Sequence, residues 1–453
     1  MVAMAFGTFM DGLDSSIVNI ALPSIAAYFG TDTGVVAWVT IVYFMMIAGL
    51  MLIFGRLADS GHIRKIYVIG FALFGVASLF CGISENLPML VASRVVQGIG
   101  AAMLAAVCPM MCVKYISSDK LGLSMSILML TGALGYLSGP AIGGFIVDLA
   151  SWHWAFLINV PIGIAAIVFS LKVLPKDSDF TESKLDLMGS ATIFIAVISG
   201  IYIIEMFSHD GQQAICSILA VVMVIAILMF IRAEKTAKYP VLRLSIFRDW
   251  KFDSTLVCYL LLSVAYVGAS YVIPFYLTKE LELSYTMSGL LIMIPSIFTI
   301  IISIPAGRYG DLHGRRMLCI ISTAALTIMS VCYWMLDPGM GWLPFIPIGV
   351  IGGIVWGLGG SVASRIIDQS PESERGIAST LSNFVYYAGG SIGTALFATL
   401  MTVGSGTSGI PIDLISPEEF MAGYGLAMLV AIIIAIVSLF SAWVVKDNNV
   451  TAS

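Results

Sequence analysis

Two carboxylates stand where a lipid bilayer disfavours any charge. The first apolar stretch, Met1–Phe29, reads MVAMAFGTFMDGLDSSIVNIALPSIAAYF and carries Asp11 and Asp14. A charge near the bilayer centre costs at least ~2.5–3.5 kcal/mol, and like charges one helical turn apart repel. Such a stretch inserts only if its acids face a polar interior, find a cation or bind protons. Ser15 shares their side of a helix. Burial strengthens a carboxyl group's hold on a proton and a nearby cation weakens it. An acid between these influences loads and releases protons, so proton exchange is the chemistry this pair points to. The alternative is a structural acid that caps a neighbouring helix or stays paired. Asp14 is the first candidate for exchange. Asp11 lies closer to the cytoplasmic end, and its role stays open.

The fourth apolar stretch contains Arg94-Val95-Val96-Gln97-Gly98-Ile99-Gly100-Ala101-Ala102. Arg94 is the only cation away from the ends of an apolar span. A guanidinium stays protonated in proteins, so it needs an anionic partner or a watery cavity. Asp14 and Asp11 are the candidate partners, and a permanent ion pair is the alternative to a tunable one. Gln97 falls on the same face, and Gly98 with Ala102 permits close helix contact. The fifth stretch holds Gly132, Gly135, Gly139, Pro140, Gly143 and Gly144. Glycines one turn apart let helix backbones touch and proline kinks a helix, which suits an interface that opens and closes. Trp152-His153-Trp154 then precedes Asn159 and Pro161. The tryptophans suit the outer headgroup belt, and Asn159 is expected to face protein. Gln97, Trp38, Tyr43, Trp356, Asn383 and Tyr387 are candidates for a cavity lining, with packing as the alternative.

These residues sit in a chain of 453 residues that is 59% hydrophobic and 11% charged, with a mean hydropathy of +0.99. A soluble domain carries about 25% charged residues, so the chain is an all-α polytopic membrane protein. Spanning the hydrocarbon takes ~20 apolar residues. Fourteen such segments fall at 3–28, 34–54, 66–84, 87–113, 121–148, 153–174, 187–207, 213–232, 254–278, 286–306, 316–336, 342–365, 376–403 and 420–445. Of the 22 Lys and Arg, all but Lys279 and Arg94 fall in or beside alternate loops. The positive-inside rule then places both termini in the cytoplasm. The first segment is too long for a cleavable signal, and a short cytoplasmic lead is expected to precede it.

Polar stretches after the sixth and eighth segments divide the chain. An N-terminal six-helix bundle is expected over 1–175, two inserted helices with linkers over 176–240, and a C-terminal six-helix bundle over 241–453. An internal repeat fits this division. Gly55–Lys65 reads GRLADSGHIRK after the second segment, and Gly307–Arg316 reads GRYGDLHGRR after the tenth. Duplicated bundles are the build of secondary transporters. The seven cysteines are scattered through apolar segments or their ends, without metal spacing, and the four histidines lie in or near loops. No catalytic cluster supports a membrane-embedded enzyme, and the dispersed basic residues exclude a nucleic-acid partner. A channel is disfavoured by the duplicated halves.

Taken in order, the motifs resemble the fourteen-helix drug:proton antiporter branch of the major facilitator superfamily, the EmrB/QacA-like group. Leu13–Pro23 resembles its first-helix motif, and Gly55–Lys65 and Gly307–Arg316 its loop motif. Arg94–Ala102 is similar to its fourth-helix motif, Gly135–Gly144 to its antiporter motif and Trp152–Gly163 to its sixth-helix signature. His62 and His153 depart from the usual residues, and the span 377–403 carries no acid. The resemblance implies proton exchange at Asp14, tuned by Arg94. It implies that Asp59 and Arg64 hold the loop after the second helix against the thirteenth, with Asp311 and Arg315 as the pseudo-symmetric pair. These loop charges could equally be solvated topology markers. Asp11 has no counterpart, and is either a second proton site or a cation-attracting residue.

The expected function is a proton-coupled antiporter for small amphiphilic or hydrophobic compounds, working by alternating access in the inner or plasma membrane. It needs no cofactor beyond the proton gradient, and no metal. It is expected to act as a monomer, with adaptor or outer-membrane partners left open. A dedicated exporter of one metabolite or antibiotic is the alternative.

Overall fold

The computed structural model describes residues 2–116, 121–177, 187–206, 212–237, 246–247, 249–371 and 375–444. Fifteen α-helices follow one another: α1 (Val2–Phe29), α2 (Thr33–Asp59), α3 (Ile63–Gly82), α4 (Leu87–Tyr115), α5 (Leu121–Leu149), α6 (His153–Leu157), α7 (Asn159–Val173), α8 (Leu187–Met206), α9 (Gln213–Thr236), α10 (Trp250–Phe275), α11 (Tyr285–His313), α12 (Arg316–Trp334), α13 (Phe345–Asp368), α14 (Arg375–Ser405) and α15 (Pro417–Val444). The short α6 and α7 are one crossing interrupted at Ile158, ahead of Pro161, where the ring removes a backbone donor. Fourteen crossings result.

Among the described residues, twelve crossings are long and apolar enough to span a membrane, and α8 adds a shorter apolar stretch, Met188–Ile204. The remaining one is α1, whose composition is broken by Asp11, Asp14, Ser15, Ser16 and Asn19. It is tolerated because its polar residues face protein. Asp14, Ser15, Ser16 and Asn19 are all buried.

The starts of α2, α4, α10 and α11 carry side-chain caps that satisfy the first free N–H groups. Asn86 Oδ1 accepts from Met89 N at 2.9 Å, and Pro88 follows in the first turn of α4. Ser284 Oγ accepts from Met287 N at 3.2 Å at the start of α11. At α10 the end is different: the helix runs on through Pro274 into a wider turn, Tyr276–Glu280.

Two six-helix bundles form, α1–α7 and α10–α15. In the first, α1 packs on α5, and α4 lies between α2 and α3; in the second, α10 packs on α14, α11 on α13 and α12 on α15. The halves meet along two seams, α2 against α14 and α5 against α11. The inserted α8 and α9 pack on each other, and α8 touches both α2 and α14. Phe194 fills the space a side chain at Gly49 would need, and Thr399 Oγ1 donates to Ile204 O at 3.4 Å. On α9, Ile218, Val221, Val224, Ile225 and Leu228 are exposed, an apolar surface suited to lipid.

One end of the molecule is tied shut across the halves. Asp148 at the end of α5 accepts from Tyr285 N at 3.1 Å and Thr286 N at 2.7 Å, and so caps α11 of the opposite bundle. Asp32 caps its own α2 through Val35 N at 2.7 Å and also accepts from Gly409 N at 2.7 Å. Ile412 N donates to Thr31 O at 3.1 Å, and Tyr271 OH donates to Thr33 O. Toward the other end, α5 and α11 are bare: Met129, Leu130 and Leu134 are exposed, as are Ile301 and Ile304.

Candidate functional site

Asp14 and Arg94 form a sealed ion pair, 2.6 Å apart and 0% and 1% exposed. The pair is embedded in a network of hydrogen bonds. Asp14 Oδ2 accepts from Arg94 Nη1 at 2.6 Å. Asp14 Oδ1 accepts from Gln97 Nε2 at 2.9 Å and from Asn159 Nδ2 at 2.7 Å. Arg94 also donates through Nε to Val39 O at 2.9 Å and through Nη1 to Gln97 Oε1 at 2.7 Å. Gln97 donates on to Ser78 Oγ at 2.9 Å, and Ser78 to Phe74 O at 2.7 Å. Five crossings therefore hold one carboxylate: α1 carries it, and α2, α3, α4 and α7 supply the rest.

The aromatic cover of this pair leads to the second acid. The Arg94 guanidinium carbon lies 4.0 Å from the centre of the Tyr43 ring, with Phe156 at 5.7 Å. Such a desolvated cation–π contact is worth about 2 kcal/mol. Tyr43 OH donates to Asp11 Oδ1 at 3.2 Å. The other oxygen, Asp11 Oδ2, accepts from Tyr387 OH at 2.8 Å. Tyr387 belongs to α14, so Asp11 joins the two halves. Unlike Asp14, Asp11 is only partly buried.

The two acids thus part company. Both were candidate partners for Arg94, and the structure gives Arg94 to Asp14. Among the described residues Asp11 meets hydroxyl groups instead. The reason is rotation: positions three apart differ by 60° around a helix, enough to aim Asp14 into the first bundle and Asp11 at the α2–α14 seam.

The remaining candidates scatter. Tyr387 and Trp356 join an aromatic wall in the second bundle. Trp356 stacks on Tyr266 at 5.1 Å and on Tyr259 at 6.4 Å, with Tyr386 at 5.4 Å. Asn383 is exposed one turn from Tyr387. Trp38 is placed elsewhere: its ring packs 5.6 Å from Tyr202 of α8, so the inserted helix takes it up. The paired tryptophans also separate. Trp154 is 54% exposed, as an interface residue would be, but Trp152 is 2% exposed and stacks on His153 at 3.7 Å.

The glycine helix packs within its own half more than across the seam. A Cβ at Gly135 would strike Phe9 O, one at Gly139 would strike Ser16, and one at Gly143 would meet Ile17 and Ile20, all on α1. Two of its motif residues touch the second bundle, where Gly144 lies on Tyr285 and Pro140 O on Gly289. Of the motif residues, Pro140 and Gly144 are the two placed at the seam with α11.

At the loop motifs, Gly55 and Gly307 have open space where a side chain would go. Arg64 points away from α14: its Nη2 donates to Leu171 O of α7 at 2.8 Å, while Asp177 accepts from Arg64 N at 2.8 Å and Lys65 N at 2.9 Å. The side chain of Asp59 lies outside the described residues. In the second half Arg315 binds Asp311 at 2.7 Å and Asp368 at 2.6 Å.

Asn159, Ser78, Tyr259, Tyr266 and Tyr386 join these sites without having been singled out for them. Asn159 carried a signal, as a costly amide in an apolar span. Tyr259 and Tyr266 lie seven residues apart, two turns on one helix face. Ser78 carried none. No group of three or more His, Cys, Asp or Glu able to hold a metal occurs among the described residues.

The same residues carry recognisable relationships. Residues 4–394 match the model of the Major Facilitator Superfamily. The multidrug export protein EmrB of Escherichia coli (strain K12) is 30% identical over 415 residues, 88% of this chain and 79% of that protein. The riboflavin transporter RibZ of Clostridioides difficile (strain 630) is 28% identical over 403 residues, 88% of this chain and 87% of that protein. The putative multidrug resistance protein MdtD of Citrobacter koseri is 29% identical over 475 residues, 99% of this chain and 95% of that protein. In three dimensions the crystal structure of the nucleoside transporter NupG superposes with a TM-score of 0.65 at 11% identity, over 98% of this chain and 100% of that one. The chain is a transporter, not an enzyme, and belongs to the Major Facilitator Superfamily.

Proposed function

We propose that this transporter is a proton-coupled antiporter that exports small amphiphilic or hydrophobic compounds across a cell membrane by alternating access. The sealed carboxylate of Asp14, held by Arg94, Gln97 and Asn159, carries this reading. Protonating Asp14 removes the charge that compensates Arg94 and leaves a guanidinium buried without its counter-ion. Breaking one side of a buried pair costs about 3–5 kcal/mol, enough to reverse an equilibrium between two arrangements of the bundle. Asp14 is the proton carrier and Arg94 sets how tightly it holds its charge. Asp11 then lies on the route between the two halves and Asp14.

The alternate-loop distribution of Lys and Arg assigns both termini to the cytoplasm. The end tied by Asp32 and Asp148 is then the outer face, closed in an inward-facing state. Gly55, Asp59, Arg64, Gly307, Asp311 and Arg315 act at the cytoplasmic ends, where they hold or release the helices as the halves rock. The proton gradient is the only energy source, and the bilayer and the exported compound are the partners.

Reconstitution into liposomes with an imposed pH gradient tests this, using a panel of fluorescent amphiphiles. Asp14→Asn should abolish gradient-driven transport in a protein that remains monodisperse. Transport that stays proton-coupled in this variant would refute the assignment. A second reading, an exporter dedicated to one compound, is favoured by the similarity to a protein named as a riboflavin transporter. A resistance panel in a susceptible host separates the two: protection against several unrelated compounds supports the broad reading, protection against one or none the narrow.

A further inference from the structure

We propose that Met4, Cys108 and Cys112 form a binding site for a soft monovalent cation, of the Cu(I) or Ag(I) type, at one end of the first bundle. The site lies apart from Asp14 and from the seam between the halves, and it does not depend on the reading of the chain as a proton-coupled exporter.

The spacing of the cysteines gains meaning once the facing helix is known. Cys108 and Cys112 are four positions apart on α4, so they share one face. That face lies on α1. The Cys112 thiol donates to Met4 Sδ at 3.5 Å. A Cβ at Gly7 would strike Cys108 Sγ. Met4 and Gly7 are in turn three positions apart on α1 and share a face of their own. The two thiols of α4 therefore meet adjacent turns of α1, and the thioether of Met4 stands beside them. Met4, Cys108 and Cys112 are all buried. Within α4 the cysteines offer two ligands; the packing of α1 supplies the third.

The ligand set selects the ion. Thiolates and thioethers are soft donors that favour Cu(I) and related ions. A structural Zn²⁺ needs four ligands in a tetrahedron, and Ca²⁺ or Mg²⁺ needs oxygens. The groups beside Gly7 and Cys108 are the rings of Tyr67 and Phe71, and the Tyr67 hydroxyl is already donated to Ala3 O. Charge points the same way. A monovalent ion that forms one metal–thiolate bond and releases one thiol proton to water leaves the site neutral. The second thiol and the thioether complete the coordination through their lone pairs. A neutral complex is the one that apolar surroundings tolerate.

The site is near the ends of both helices, where Val2, Val113 and Lys114 are exposed, and the ion enters from that end. Its effect follows from which helices it joins. α1 and α4 bring Asp14 to Arg94, so an ion bridging Met4 to the cysteines fixes against each other the two helices that hold the buried ion pair.

Metal binding to the purified full chain tests this. Cu(I), delivered anaerobically as its complex with bathocuproine disulfonate, is the probe, and the absorbance of that complex reports transfer to the protein. The unaltered protein should take up one equivalent, show sulfur-only coordination by X-ray absorption and unfold at a higher temperature when loaded. Cys108→Ala and Cys112→Ala should each weaken Cu(I) by at least about a hundredfold, and Met4→Leu by about tenfold. Cys258→Ala, in the second bundle, should leave the affinity unchanged. Unfolding of each metal-free variant checks that it folds, and Cys108→Ser and Cys112→Ser keep the side-chain size if an Ala variant does not. Failure of the unaltered protein to take Cu(I) from the chelator overturns the proposal. Full affinity in Cys108→Ala and Cys112→Ala overturns it in favour of other cysteines. An equal loss in Cys258→Ala overturns it in favour of unspecific thiol binding.

Discussion

Asp11 and Asp14 sit one helical turn apart on α1, and their surroundings are opposite. Asp14 is sealed, paired with Arg94, and accepts three hydrogen bonds from groups of its own bundle. Asp11 is partly buried, meets no cation among the described residues, and accepts one of its two bonds from the other bundle. The difference teaches that a single helix serves two purposes through its two faces. One face stores charge inside a rigid half, and the other touches the seam that must part. Tyr43 connects them, with its ring over Arg94 and its hydroxyl on Asp11.

The largest test of this contrast is stability. Arg94→Ala leaves the Asp14 carboxylate buried without its counter-ion and should cost about 3–5 kcal/mol. Asp11→Asn removes no partner from a buried cation and should cost less than about 1 kcal/mol. Thermal unfolding in one detergent compares them, and equal losses would erase the distinction between the acids.

A smaller effect separates rigid packing within a half from contacts that part. Gly139→Ala drives a Cβ into Ser16 of α1, and Gly135→Ala drives one into the backbone at Phe9. Overpacking of this kind costs about 1–3 kcal/mol. Gly55→Ala meets nothing within 4 Å and should be neutral or stabilising by up to about 1 kcal/mol. The same unfolding assay ranks the three, and a destabilised Gly55→Ala would show that its motif is packed after all.

The closed end offers a third comparison. Asp148→Ala removes the cap that one half places on α11 of the other. Loss of a cap is worth about 1 kcal/mol, or roughly a fivefold shift toward separation at that end. Ser288 on α11 is fully buried. A Ser288→Cys variant, in a background without the native cysteines, should react faster with an impermeant thiol reagent when Asp148→Ala is added. An unchanged rate would remove Asp148 from the gate.

The smallest effect isolates the link between the acids. Tyr43→Phe keeps the ring over Arg94 and deletes the bond to Asp11, for about 0.5–1.5 kcal/mol. Tyr43→Ala also deletes the cation–π contact, for about 2 kcal/mol more. Unfolding of the two variants side by side checks this. A Phe variant as unstable as the Ala variant would mean that the hydroxyl, not the ring, holds the site.

Much of this was legible without coordinates. Length and hydropathy alone require a fourteen-crossing membrane protein, because each crossing must bury its backbone polar groups within itself. Arg94, in the middle of an apolar span, had to find an acid, since a guanidinium cannot shed its charge. The glycines of α5 announced a close helix contact. What the residues could not say is which neighbour each face meets. Arg94 and Asp14 are 80 positions apart, and Tyr387 and Asp11 are 376 apart. Spacing within a helix sets which side chains share a face. It does not set which other helix lies against that face, because the packing of all the crossings together decides that. For this reason the sequence by itself determined that two acids and one cation share an apolar interior. Only the tertiary structure decided that the cation belongs to Asp14, and that Asp11 looks across the seam.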